Sequence, residues 1–135
     1  MARILVIDDQ AAVLETVRAI LEFLGHTVVA TTRAHDGIDA VQNERFDLLM
    51  VDIFMPDMDG IETITTVRQH RPDLPVIVMS GSSVVATTAP APDFLAIATK
   101  LGGSIRALRK PFKRAELMEA LDSCLSSAEL HHDAS

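Results

Sequence analysis

The chain has 135 residues, with 12 Lys and Arg against 19 Asp and Glu, for a formal charge of −7. With 48% hydrophobic and 23% charged residues, and with a domain of this size burying roughly two-thirds of its unfolded surface, one packed domain is expected and extensive disorder is excluded. A single cysteine, Cys124, excludes an internal disulfide and a multi-thiolate metal site, and the acidic balance disfavours non-specific attraction to nucleic acid or anionic lipid.

At the N-terminus, Met1-Ala2-Arg3 is followed by only four apolar residues, Ile4 to Ile7, before Asp8-Asp9. That is too short for the hydrophobic region of a signal peptide, no later stretch is long enough to span a bilayer, and a cytoplasmic location is expected. Ile4 to Ile7 reads as a buried strand. Val13, Val17, Ile20, Leu21 and Leu24 then fall at helical spacing until Gly25, a helix-terminating signal. Thr27 to Thr31 gives a weaker strand, and Ala34, Ile38 and Val41 mark a short second helix. Leu48 to Asp52 repeats the strand pattern. Met55 to Gly60 is turn chemistry, and Ile61, Ile64 and Val67 line a third helix that must stop before Pro72. Val76 to Met79 is a fourth strand, Phe94 to Leu101 a fourth helix closed by Gly102-Gly103, Ile105 to Leu108 a fifth strand, and Leu117, Leu121, Cys124 and Leu125 one face of a fifth helix. The sum is an α/β domain of (βα)5 type. Almost continuously apolar strands imply burial on both faces, hence a doubly wound parallel five-stranded sheet with right-handed crossovers.

In such sheets ligands lie beyond the carboxyl ends of the strands. Here those ends carry Asp8-Asp9, Asp52, Ser80-Gly81 and Lys110-Pro111. Two like charges about 4 Å apart repel by roughly 4 kcal/mol at an effective dielectric near 20, so three carboxylates on one rim need a cation, a proton or separation. Oxygen-only ligands fit a hard divalent ion, and a partial set that leaves waters in place fits Mg2+. A metal beside an aspartate, with a lysine and a hydroxyl nearby, is what phosphoryl transfer to a carboxylate requires.

The runs Ile4-Leu5-Val6-Ile7-Asp8-Asp9, Asp52 to Gly60, Met79-Ser80-Gly81 and Lys110-Pro111-Phe112 together resemble the receiver (CheY-like) domain of two-component response regulators, over residues 3 to 127. Any one of these motifs is weak; four in order at successive strand ends are specific. The resemblance implies the flavodoxin-like strand order 2-1-3-4-5 and a phosphoryl group accepted on Asp52 from a histidine kinase or a histidine phosphotransfer protein. It also implies Mg2+ held directly by Asp9 and Asp52, through water by Asp8 and by the backbone carbonyl of Phe54. Ser80 and the Gly81 amide would donate hydrogen bonds to the phosphoryl oxygens, Lys110 would hold the group as a point charge, and the Lys110-Pro111 bond would be cis. Such a protein is a phosphoacceptor with its own phosphotransfer and dephosphorylation activity, not a metabolic enzyme.

Simpler readings stand beside these. Asp8-Asp9 could cap the first helix, Asp52 could form a turn ahead of Pro56, Ser80-Gly81 is ordinary turn chemistry, and Lys110 could be a solvated loop residue. The five histidines read as surface residues, the methionines as core filler, and Cys124 as a small buried hydrophobe. Two departures from the family pattern are visible. Ala107 stands where an aromatic is usual, and Ser82 to Pro92 makes the connection into the fourth helix long against ordinary loops.

The receiver domain is expected over 1–128, with 129–135 a short tail and no output domain. The expected signal is a surface change read by a protein target in trans, with homodimerisation through the fourth helix, fifth strand and fifth helix as an option. Neither direct nucleic-acid binding nor membrane attachment is expected. Two other classes fit less well: a degenerate receiver acting as a constitutive interaction module, and a hydrolase with an aspartyl-phosphate intermediate, which would need a carboxylate where Phe54 stands.

Overall fold

The computed structural model describes residues 2–53, 60–81, 105–110 and 112–133, with the side chains of 60, 61, 80, 81 and 126–133 outside that description. Its elements run β1 (Arg3–Ile7), α1 (Ala11–Phe23), β2 (Thr27–Thr31), α2 (Ala34–Asn43), β3 (Leu48–Asp52), α3 (Gly60–His70), β4 (Val76–Gly81), β5 (Ile105–Lys110) and α4 (Arg114–Asp133). All strand pairings are parallel and the order is β2-β1-β3-β4-β5, as expected. The turn over 55–59, the segment Ser82 to Pro92 and the helix expected over 94–101 lie outside the described residues.

The inner strands β1, β3 and β4 are apolar over most of their length because both faces of the sheet are covered there, whereas the edge strands β2 and β5 carry exposed residues. Ile4, Val6, Leu48, Met50, Ile77 and Met79 point to one side, where Leu14, Val17 and Leu21 of α1 meet Leu117, Leu121 and Cys124 of α4. Leu5, Ile7, Leu49, Val51, Val76 and Val78 point to the other, against Ile38 and Val41 of α2 and Ile64 and Val67 of α3. The period of two along each strand thus divides one sheet into two cores. Met50, Met79 and Cys124 are fully buried, the packing role expected of them, whereas Met118 on the last helix is exposed and is not core filler. Full burial of a Leu or Ile side chain contributes about 1.5–3 kcal/mol each.

Gly25 ends α1 as its position foretold. Its φ is 95°, its amide donates to the Glu22 carbonyl, and the His26 amide donates to the Leu21 carbonyl at 3.0 Å. This paired pattern needs a left-handed residue that only glycine adopts without strain. Gly37 answers a different need, since a Cβ there would lie 2.3 Å from Cδ1 of Ile7; its absence lets α2 approach β1 closely.

Two strands are longer than their apolar runs. β4 continues through Ser80 and Gly81, and β5 through Arg109 and Lys110, because the registers Ser80↔Arg109 and Gly81↔Lys110 extend the ladder between them. The last helix also runs on to Asp133, into the stretch expected as a tail. No helix among the described residues is long and apolar enough to cross a membrane.

Candidate functional site

Register brings the site together. Ile7 of β1 lies beside Val51 of β3, so Asp8 and Asp52, each the next residue, meet at the carboxyl end of the sheet. Asp52 is itself paired with Met79 of β4, and the Ile53 amide donates to the Met79 carbonyl at 3.0 Å, holding the end of β3 in place. One strand further out, Gly81 lies beside Lys110.

The side chains converge as the strand ends do. The Lys110 ammonium donates to Oδ2 of Asp8 at 2.5 Å and to Oδ2 of Asp52 at 3.1 Å. The Asp8 side chain is wholly buried, that of Asp52 is 6% exposed and that of Lys110 is 12% exposed. Asp9, by contrast, is exposed. One carboxylate oxygen from each of Asp8, Asp9 and Asp52 lies within 4.8 Å of the others. Burial pulls the Lys110 pKa down, but its hydrogen bond and charge attraction to Asp8, followed by those to Asp52, outweigh burial and raise it above the ordinary lysine value.

Asp8-Asp9 is not a helix cap. The residue at the N-cap of α1 is Gln10, whose side chain makes no cap hydrogen bond, and the Gln10 amide donates instead to Oδ1 of Asp8 at 2.9 Å. Both oxygens of Asp8 are therefore engaged, one by the backbone and one by Lys110. Nor is Lys110 a solvated loop residue; it is the last residue of β5, and its nitrogen lies between two carboxylates.

Three carboxylates against one ammonium leave a formal surplus of two negative charges in a partly dehydrated cluster. An all-oxygen donor set with that surplus suits a hard divalent cation. Ser80 and Gly81 are placed by backbone position on the strand between Asp52 and Lys110. Phe54 and Pro111 lie outside the described residues.

A family profile described as "Response regulator receiver domain" matches residues 4–122. The chain belongs to the response regulator receiver family. Among its relatives, the response regulator MprA of Mycobacterium ulcerans is 34% identical over 134 residues, covering 97% of this chain and 53% of that protein. The cell cycle transcriptional regulator CtrA of Caulobacter vibrioides is 28% identical over 129 residues, covering 96% of this chain and 52% of that protein. The receiver chain thus spans about half the length of these regulators. Among solved structures, a CheY-like receiver domain protein from Methanospirillum hungatei JF-1 superposes with a TM-score of 0.84 at 28% identity, over 97% of this chain and 98% of the other. Chemotaxis protein CheY4 of Vibrio cholerae gives 0.79 at 25%, over 93% and 99%.

What the sequence did not disclose is how the receiver's Lys110 rests in this state. The resemblance assigned it to the phosphoryl group; here it bridges Asp8 and Asp52. The Gln10 amide was missed as well, since a backbone donor leaves no mark in residue identity.

Proposed function

We propose that this receiver accepts a phosphoryl group on Asp52 from a phosphohistidine donor and passes the signal on through its surface. The observation that carries the reading is the Asp52 carboxylate at the rim of the sheet, 3.1 Å from the Lys110 ammonium and grouped with Asp8 and Asp9. Asp52 is the nucleophile: one of its oxygens attacks phosphorus, the bond from phosphorus to the donor nitrogen breaks, and that nitrogen leaves with the electron pair. Lys110 follows the new charge, releasing Asp52 and neutralising a phosphoryl oxygen. The Ser80 hydroxyl and the Gly81 amide donate to the remaining oxygens.

Asp9, Asp52 and the Phe54 carbonyl would hold Mg2+ directly, with Asp8 acting through water, a role that suits a carboxylate whose two oxygens are already taken by Gln10 and Lys110. Bound there, the ion supplies charge neutralisation between nucleophile and phosphoryl group. The donor protein is a histidine kinase or a phosphotransfer protein, and the reader of the phosphorylated surface is a protein target.

Incubation with radiolabelled acetyl phosphate, with and without Mg2+, tests the reading. Stoichiometric Mg2+-dependent incorporation that Asp52→Asn abolishes supports it. A constitutive interaction module would incorporate nothing, and steady release of inorganic phosphate from generic phosphomonoesters would indicate a hydrolase.

A further inference from the structure

On the β2 side of the site stands a cation that the acidic cluster does not use. Strand order puts β2 next to β1, on the opposite side of Asp8 from Lys110. The Asp8 amide donates to the Thr31 carbonyl at 3.2 Å, which ties the end of β2 to the site. Two residues further on is Arg33, which is exposed. Its backbone is held in place: the Arg33 amide donates to Oγ1 of Thr31 at 3.2 Å, the Thr31 hydroxyl donates to the Arg33 carbonyl at 3.3 Å, and the Gly37 amide donates to the same carbonyl at 3.2 Å. Two residues span at most about 7 Å, so the long Arg33 side chain starts within reach of the rim that carries Asp8 and Asp9.

An arginine here runs against local preference. Arg33 is the N-cap of α2 and makes no side-chain cap hydrogen bond. Ser, Thr, Asp and Asn are favoured at that position because their oxygens accept from the first free amides, and a cation at the positive end of the helix dipole is unfavourable. Nor does an acid hold the guanidinium. It forms no ion pair with a described residue, neither with Asp36 in the first turn of its own helix nor with Asp9, whereas Arg3 and Arg18 pair with Glu44 and Glu22. A break with local rules that no packing or pairing repays is the mark of a residue kept for another task.

We infer that Arg33 draws the dianionic phosphoryl group of a small acyl phosphate onto the rim, and so makes the site prefer dianionic donors to less charged ones. The inference rests on Asp52 as the phosphoryl acceptor. A chain of formal charge −7 repels an anionic donor at long range. Three carboxylates offset by one ammonium and a bound divalent ion reach neutrality and no more. Lys110 is held between Asp8 and Asp52 until transfer begins, so the first attraction falls to an exposed cation at the rim. A protein donor is placed by its own surface; a small donor has little but its charge. In the transfer itself an Asp52 oxygen attacks phosphorus, the bond from phosphorus to the acyl oxygen breaks, and the carboxylate leaves with the electron pair. Arg33 keeps its proton throughout.

The test labels the full chain, in Mg2+, with increasing concentrations of acetyl phosphate, a dianion near neutral pH, or of phosphoramidate, which carries one net negative charge. Arg33→Gln should raise the half-saturating concentration of acetyl phosphate about fivefold, the scale of a unit charge acting on a nearby dianion through screened water. The rise for phosphoramidate should be smaller, and the rate at saturation should change by less than about twofold. Arg33→Lys, which keeps the charge, should recover most of the loss, and added salt should narrow the gap. Arg45→Gln makes the same change of charge at an exposed position ahead of β3, at the other pole of the sheet, and should move neither value. An unchanged half-saturation in Arg33→Gln, an equal rise for both donors, an equal rise in Arg45→Gln, or a loss confined to the saturated rate would each overturn the inference. Acetonylphosphonate, a dianion of similar shape that cannot transfer its phosphoryl group, separates the two readings. Titrated by amide shifts in Mg2+, it should bind Arg33→Gln about fivefold more weakly than the wild type. Absent labelling with that difference retained rejects the phosphoacceptor alone, and intact labelling with that difference absent rejects the role of Arg33 alone.

Discussion

Replacing Lys110 with Met keeps most of the side-chain volume and removes the ammonium from between Asp8 and Asp52. In the wild type that ammonium lies 2.5 Å and 3.1 Å from their oxygens, with side chains exposed by no more than 12%. A pair of unit charges near 4 Å interacts by about 4 kcal/mol at an effective dielectric of 20, and dehydration of the three groups offsets much of that attraction. What decides the outcome is the state left behind: two carboxylates at the rim of a closed core with no counter-ion between them. Breaking a buried pair by removing one partner costs about 3–5 kcal/mol, and a value in that range is expected for Lys110→Met in EDTA. Addition of Mg2+ should restore a large part of it, because a divalent ion supplies the lost positive charge. Urea unfolding of wild type and variant, each with EDTA and with Mg2+, measures both quantities. A variant as stable as the wild type in EDTA, or one whose deficit Mg2+ leaves unchanged, would refute the view that Lys110 acts as the internal counter-ion of the acidic cluster.

Three further outcomes are expected. Asp9→Asn should weaken Mg2+ binding, read by titration calorimetry, while leaving stability in EDTA equal or higher, because the change removes both a ligand and a like charge. His26 accepts a hydrogen bond from the Ala2 amide at Nδ1 (3.1 Å), and burial, aided by the positive N-terminus, lowers its pKa from 6.5; the unfolded chain therefore takes up a proton first, and stability present above pH 6.5 should fall as pH drops through the window below it, a slope that thermal melts of His26→Gln should lack. Gly37→Ala should cost about 1–3 kcal/mol through overpacking against Ile7, and adding Ile7→Val, which removes the Cδ1 atom 2.3 Å from the new methyl group, should recover part of that loss in denaturant titrations.

Much of the fold was legible because parallel strands buried on both faces leave runs such as Leu48 to Val51 that have no other economical reading, and because Gly25 and Pro72 punctuate the helices. The ends of β4 and β5 were not legible. Ser80, Gly81, Arg109 and Lys110 carry no apolar signal, and they are strand only because each completes a ladder with the other pair, a tertiary fact. The site divides in the same way. Residue type and position at strand ends singled out Asp8, Asp9, Asp52 and Lys110, and the structure gathers all four. It also gives two neighbours of identical chemistry different environments, burying Asp8 and exposing Asp9, while both still bring a carboxylate oxygen to the cluster. The bridge from Lys110 to Asp8 spans 102 positions in sequence, and no local pattern encodes it.

The central claim is that Asp52, and no other carboxylate of the cluster, becomes the acyl phosphate. Borohydride reduces an acyl phosphate to the alcohol, so an aspartyl phosphate is converted to homoserine at its own position. Treatment of the chain with acetyl phosphate and Mg2+, followed by borohydride and peptide mass spectrometry, should find homoserine at position 52 and aspartate unchanged at positions 8 and 9. Homoserine at position 8 or 9, or none anywhere after full exposure to the donor, would contradict the account.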